Sequence, residues 1–159
     1  MVDPALILAE LNRAGVDFVV IGGVAATLHG CPEQTYDLDI LYAATEENRA
    51  RLLKALDAIE AQWDRPLNDT LLQLQEVFAL NTMHGDLDIF TRVPGIEDFA
   101  CAVSDADVFQ LQDQPVKVLN LHALIAAKEA AADPNPRKQS ALAYLKALQR
   151  AQRSSGLSM

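Results

Sequence analysis

The chain has 159 residues, half of them hydrophobic and only 6% aromatic, which suits one compact domain with a core of Ala, Leu, Val and Ile. Its 13 basic and 22 acidic residues give a net charge of −9, which argues against a broad surface for nucleic-acid backbones; such a ligand would need a local basic patch. Cys31 and Cys101 read as free thiols, and with His29, His84 and His122 so dispersed they do not form a four-ligand zinc pattern. Met1-Val2-Asp3-Pro4 lacks the basic start of a signal peptide, and no apolar run reaches spanning length, so the expected compartment is the cytoplasm, with no membrane partner.

Asp3-Pro4 predicts a helix start, with Asp as N-cap and Pro in the first turn, and the helix should run to about Arg13. Val16 to Ile21 is β-branched and apolar, a buried strand broken by Gly22-Gly23. A short helix is expected over Val24 to His29, and a second strand over Leu38 to Tyr42. Thr45 caps a helix to about Ile59, with Glu46 and Glu47 in its first turn. Leu71 to Thr82 is ambiguous, its second half (Val77 to Asn81) suiting a strand. Met83-His84-Gly85 turns this into a returning strand, Leu87 to Phe90. A short helix near Glu97 to Ala102 and strands at Val108 to Leu111 and Val116 to Leu119 follow. Asn120 caps a helix to about Ala132, two prolines in Asp133-Pro134-Asn135-Pro136 break it, and Arg137 to Arg150 forms the last helix, with a frayed tail over 154–159.

The tetrad Asp-Leu-Asp-Ile occurs twice, at 37–40 and 86–89. In a strand, alternation sends both aspartates of each tetrad to one face and Leu and Ile to the other. Like charges so placed repel unless a cation screens them, and oxygen ligands of this kind suit Mg²⁺ or Mn²⁺. Solvated acids at strand ends are the plain alternative; two identical tetrads on apolar strands weigh against it. Gly22-Gly23, between strand and helix, lets the backbone approach a ligand, and amides at a helix start suit phosphate, although the pair is neither a dinucleotide fingerprint nor a P-loop.

Ile21-Gly22-Gly23, Thr35 to Ile40 and Leu87-Asp88-Ile89 together resemble the DNA polymerase β nucleotidyltransferase superfamily. Gly22 to Gly30 and Leu124 to Ala131 are most similar to its branch of abortive-infection toxins and related small proteins. The resemblance runs from about Leu6 to Leu148. It implies an α/β (α+β) nucleotidyltransferase fold: a small mixed sheet flanked by helices, with C-terminal helices (about 120–150) as cover. It further implies that Asp37, Asp39 and Asp88 hold two metal ions, that Gly22 and Gly23 hold phosphates, and that Lys128 neutralises phosphate charge. Thr35 is open between a phosphate contact and a strand-entry residue, and the role of Asp86 is open, support of the metal-binding acids being one reading.

The implied reaction moves an NMP from an NTP to a hydroxyl of an unnamed acceptor (RNA, protein or small molecule), within a toxin–antitoxin or phage-defence system with an antitoxin partner. Two positions depart from the branch: Glu33 stands where Arg is usual, and Arg137-Lys138-Gln139 lacks the acid that usually ends that segment. These departures favour the alternative of an inactive nucleotide- or partner-binding module. A metal-dependent hydrolase is a third reading, and it leaves the glycine pair unexplained. His29 reads as a helix C-terminal residue rather than a ligand contact, Trp63 as a packing residue, and His84 as an exposed turn residue.

Overall fold

The alternation of apolar and acidic residues along Asp37 to Tyr42 fixes the centre of the molecule, because Leu38 and Ile40 are fully buried while Asp37 and Asp39 face the other side. A computed structural model describes residues 2–32 and 35–157, so Glu33 lies outside the described residues. The strands are β1 (Phe18–Ile21), β2 (Asp37–Tyr42), β3 (Val77–Thr82), β4 (Gly85–Phe90), β5 (Ala106–Leu111) and β6 (Gln114–Leu119). They form one sheet in the order β3-β4-β2-β1-β6-β5. The sheet is mixed: β2–β4 and β1–β6 are parallel, and the other neighbouring pairs are antiparallel.

The helices are α1 (Pro4–Arg13), α2 (Gly22–Leu28), α3 (Glu46–Ala58), α4 (Asp69–Leu72), α5 (Phe99–Ser104), α6 (Leu121–Ala131) and α7 (Pro136–Leu157). Side-chain caps set several starts: Asp3, Thr45 and Asn120 each accept a backbone N–H from the first turn. The ambiguous stretch around residue 71 divides, with Asn68 capping the four-residue α4 before β3 begins. α2 begins at Gly22 itself rather than at Val24, so no loop separates β1 from the helix. α7 continues past Arg150 to Leu157, since no proline follows Pro136 to end it.

The buried apolar residues form one cluster that includes β1, β2, α1 and α3. Asn48, fully buried, was not anticipated from sequence. It accepts the Asp17 N–H at 2.7 Å and donates to the Asp17 and Ala43 carbonyls at 3.0 and 2.8 Å. One side chain thus pins α3 to the entry of β1 and the exit of β2, and its polar cost is offset because every contact is a hydrogen bond. Trp63 packs edge-on against Phe78 with ring centroids 5.0 Å apart, as a packing residue should. Among the described residues no helix is long and apolar enough to cross a membrane.

Candidate functional site

Strand register assembles the acids. In the antiparallel β1–β2 pair Ile21 lies opposite Asp39, and in the parallel β2–β4 pair Asp37 lies opposite Asp86 and Asp39 opposite Asp88. The two tetrads therefore sit side by side in exact register. Carboxylate oxygens of Asp37, Asp39 and Asp88 come within 4.8 Å of one another. Asp86 is exposed at the outer end of β4 and stands outside that group.

The glycine turn is shaped by the same cluster. Gly22 has φ +69°, a left-handed conformation that side chains resist, and a Cβ there would lie 3.0 Å from Asp39 Cγ and 3.1 Å from Asp39 Cβ. A Cβ on Gly23 would lie 2.8 Å from Thr35 Cγ2. The missing side chains thus make room for the inner aspartate and for the residue that leads into β2. Thr35, expected either at a phosphate or at a strand entry, stands against the first turn of α2 just before β2 begins.

The electrostatics are those of acids that are buried and crowded together. Burial, reinforced by the Asp37 and Asp88 charges, pushes the Asp39 carboxyl up to about 8. Asp88 is pushed up to about 6, first by burial and then by its hydrogen bond with Asp37. Asp39 Oδ1 is buried, with no hydrogen-bond partner among the described residues. A buried acceptor without a donor costs roughly 1–3 kcal/mol, and a hard cation is the chemical group that a three-carboxylate donor set takes. The residues present therefore fit a divalent metal.

Beside the carboxylates opens a cavity of about 470 Å³. Gly22 and Asp39 line it, together with the apolar Phe90 and Leu124 and the cationic Lys128 and Lys138. Lys128, to which the resemblance assigns the neutralising of phosphate charge, lines this cavity. Lys138 was visible in sequence only as part of an incomplete motif; its charge lowers the Asp39 carboxyl, against the larger effects that raise it. Gln139, the departure from the expected acid, also lines this cavity. The guanidinium of Arg137 lies 5.4 Å from the ring centroid of Tyr36, the residue before Asp37. His29 caps α2, with Nε2 2.9 Å from the Leu119 carbonyl and its ring edge-on to Phe109. It is a structural residue, as expected.

The sequence matches no family model and no curated protein. Solved structures do match. Lincomycin-bound LnuA, a lincosamide antibiotic adenylyltransferase, superposes with a TM-score of 0.65 at 16% identity, over 90% of this chain and 94% of its own. ANT(2")-Ia in complex with adenylyl-2"-tobramycin gives a TM-score of 0.57 at 16% identity, over 94% of both chains. A provisionally named nucleotidyltransferase of Thermotoga maritima gives 0.54 at 17% identity, over 99% of this chain and 93% of its own. The chain has the nucleotidyltransferase fold. The mixed sheet with flanking helices and a helical C-terminal cover, expected from sequence, is that fold.

Proposed function

We propose that this chain is a metal-dependent nucleotidyltransferase that moves an NMP from an NTP to a hydroxyl on an acceptor. The observation that carries the reading is the convergence of Asp37, Asp39 and Asp88 beside a left-handed glycine turn, with Asp39 also lining a cavity that Lys128 and Lys138 line. Mg²⁺ or Mn²⁺ bound there would polarise the phosphate and lower the pKa of the attacking hydroxyl. Asp37 and Asp39 would hold both ions, with Asp88 joining on the attacking side. The Gly22-Gly23 backbone receives phosphate oxygens, and Lys128 cancels their charge. The hydroxyl oxygen forms its bond to the α-phosphorus as the bond to pyrophosphate breaks, and the protein's work is mainly positioning and charge cancellation. The adenylyl transfer named for two structural neighbours supports NMP transfer and makes ATP the first nucleotide to try.

The test is label transfer from each α-labelled NTP to cell extract with Mg²⁺ or Mn²⁺, comparing wild type with Asp37→Ala/Asp39→Ala. Transfer by wild type alone is expected; equal nucleotide binding and transfer by the double variant would refute the reading. A second reading, a nucleotide-binding module without turnover, is favoured by Gln139 in the cavity wall where an acid is expected. Metal-dependent NTP binding with no transfer from any nucleotide would select it. The resemblance to abortive-infection toxins supports a toxin's place beside an antitoxin. Growth arrest on expression of wild type, absent with the double variant, is the expected result.

A further inference from the structure

A second cavity lies at the far end of β2. Asp37 and Tyr42 bound that strand, about 17 Å apart at the rise of an extended chain. Tyr42 follows the parity of Leu38 and Ile40, which puts it on the face opposite the acids. The cavity, of about 410 Å³, is lined there by Tyr42, by Arg49 of α3, by Leu72 of α4, by Leu74 and Glu76 before β3, and by Thr91 after β4. It shares no lining residue with the cavity beside Asp39. Small-molecule sites run to roughly 300–1,000 Å³, whereas one water takes roughly 30 Å³, so the space suits a ligand rather than a single solvent molecule.

Two groups in this lining have hydrogen-bonding capacity that the fold does not use. Tyr42 is 1% exposed, and its hydroxyl is buried with no partner among the described residues. Burial pushes the phenol up to about 12, so near neutral pH it is an uncharged O–H donor. The Arg49 charge acts on the same phenol, against the larger effect of burial, so the two groups are close. Arg49, its side chain 13% exposed, donates Nε to Asp69 Oδ1 at 2.7 Å and Nη1 to the Ala44 carbonyl at 2.9 Å. Neither bond uses Nη2. Gln73 Nε2 donates to Asp69 Oδ2 at 2.8 Å, so both oxygens of that carboxylate are engaged and Arg49 is held in place.

A hydroxyl that needs an acceptor and a guanidinium with an open nitrogen both call for an oxyanion. Local charge decides which kind. Asp69 offsets Arg49, and Glu76 adds a negative charge whose pairing with Arg92 is a loose 3.8 Å. A doubly charged phosphate would be repelled there, whereas one planar carboxylate matches a guanidinium edge. Leu72, buried, and Leu74, 70% exposed, give apolar surface for the rest of such a molecule. We infer that this cavity is a second ligand site, taking a small monocarboxylate whose head bonds the Tyr42 hydroxyl and Arg49 and whose apolar tail lies on Leu72 and Leu74. The site does not rest on the transfer proposed above.

The probe is hexanoate, titrated at constant ionic strength into the full, nitrogen-15-labelled chain and followed by amide resonances. A ligand so small should bind at roughly millimolar concentration, so the titration runs to about 20 mM. Saturable shifts are expected at Ala44, Gln75 and Thr91, and none at Gly22 or Lys128. Tyr42→Phe should weaken hexanoate at least about tenfold, the scale of a hydrogen bond to a charged group. Its melting temperature should stay level or rise, since the oxygen removed bonds nothing in the fold. Leu74→Glu, at an exposed position, should keep the melting temperature and weaken hexanoate about threefold by adding a like charge to the lining. Absence of saturable shifts at the three lining amides, equal hexanoate affinity in Tyr42→Phe, or tighter binding of inorganic phosphate at the same amides would overturn the inference. So would a lower melting temperature of Tyr42→Phe, which would mean that water satisfies the hydroxyl in the ligand-free chain. Asp37→Ala/Asp39→Ala should bind hexanoate as wild type does, whatever becomes of nucleotide transfer; loss of the probe in that variant would place it at the carboxylates instead.

Discussion

The two Asp-Leu-Asp-Ile tetrads are identical in sequence and paired residue for residue, yet they are not equivalent. β2 lies inside the sheet against β1, where the glycine turn presses on Asp39; β4 lies farther out, between β2 and β3. Both β2 aspartates join the carboxylate cluster, but only the inner one of β4 does. Asp39 pays for its depth with a carboxyl pushed up to about 8, while Asp88 reaches about 6. The same four letters thus make a full pair of ligands in one strand and half a pair in the next. Neighbouring structure, rather than motif, sets how much each acid contributes.

The sharpest way to break this asymmetry is at its deepest member. Asp39→Ala should reduce label transfer by about 10³-fold, since a metal-ligand loss removes several kcal/mol of charge stabilisation and each 1.4 kcal/mol is tenfold. Steady-state transfer with saturating Mg²⁺–NTP checks it. Gly22→Ala attacks the same carboxylate from the other side. Left-handed strain of about 1–2 kcal/mol should lower the melting temperature by about 4 °C. Displacement of Asp39 should cost about 10²-fold in transfer, the usual scale for an ångström of misplacement. Scanning calorimetry alongside the transfer assay separates the two effects.

A smaller effect concerns pH. Folded-state values above the ordinary carboxylate range mean that the folded chain holds protons that the unfolded chain has released. Stability from these groups is therefore full below about 4 and lost as pH rises through about 6 for Asp88 and about 8 for Asp39. In chelator, the melting temperature should fall between pH 5 and 8. Mn²⁺ should raise it more at pH 8 than at pH 5, and Asp39→Asn should flatten the dependence; thermal melts across that range would show otherwise if the cluster were solvated. The smallest effect belongs to the outermost acid. Asp86→Asn should change transfer by no more than about threefold at 0.15 M salt, because an exposed charge is screened. A loss comparable to that of Asp39→Ala would mean that the two strands contribute equally.

Sequence by itself determined the faces. The period of two in each tetrad forces Asp37 with Asp39, and Asp86 with Asp88, to one side of the sheet, because Leu38, Ile40, Leu87 and Ile89 must be buried on the other. Local chemistry likewise determined the helix starts at Asp3, Thr45 and Asn120, where a short polar side chain satisfies an otherwise orphaned N–H. Only the tertiary structure decided which acids meet, since residues 37 and 88 are joined by the parallel register of β2 and β4, a long-range pairing that no local pattern encodes. It also decided what Gly22 is for: from sequence the pair reads as a phosphate cradle, and the fold adds that a side chain there would strike Asp39. The charge of α7 was present in the sequence all along. Only the packing of α7 against α6 brings Lys138 to the cavity beside Asp39 and leaves Arg150 and Arg153 exposed.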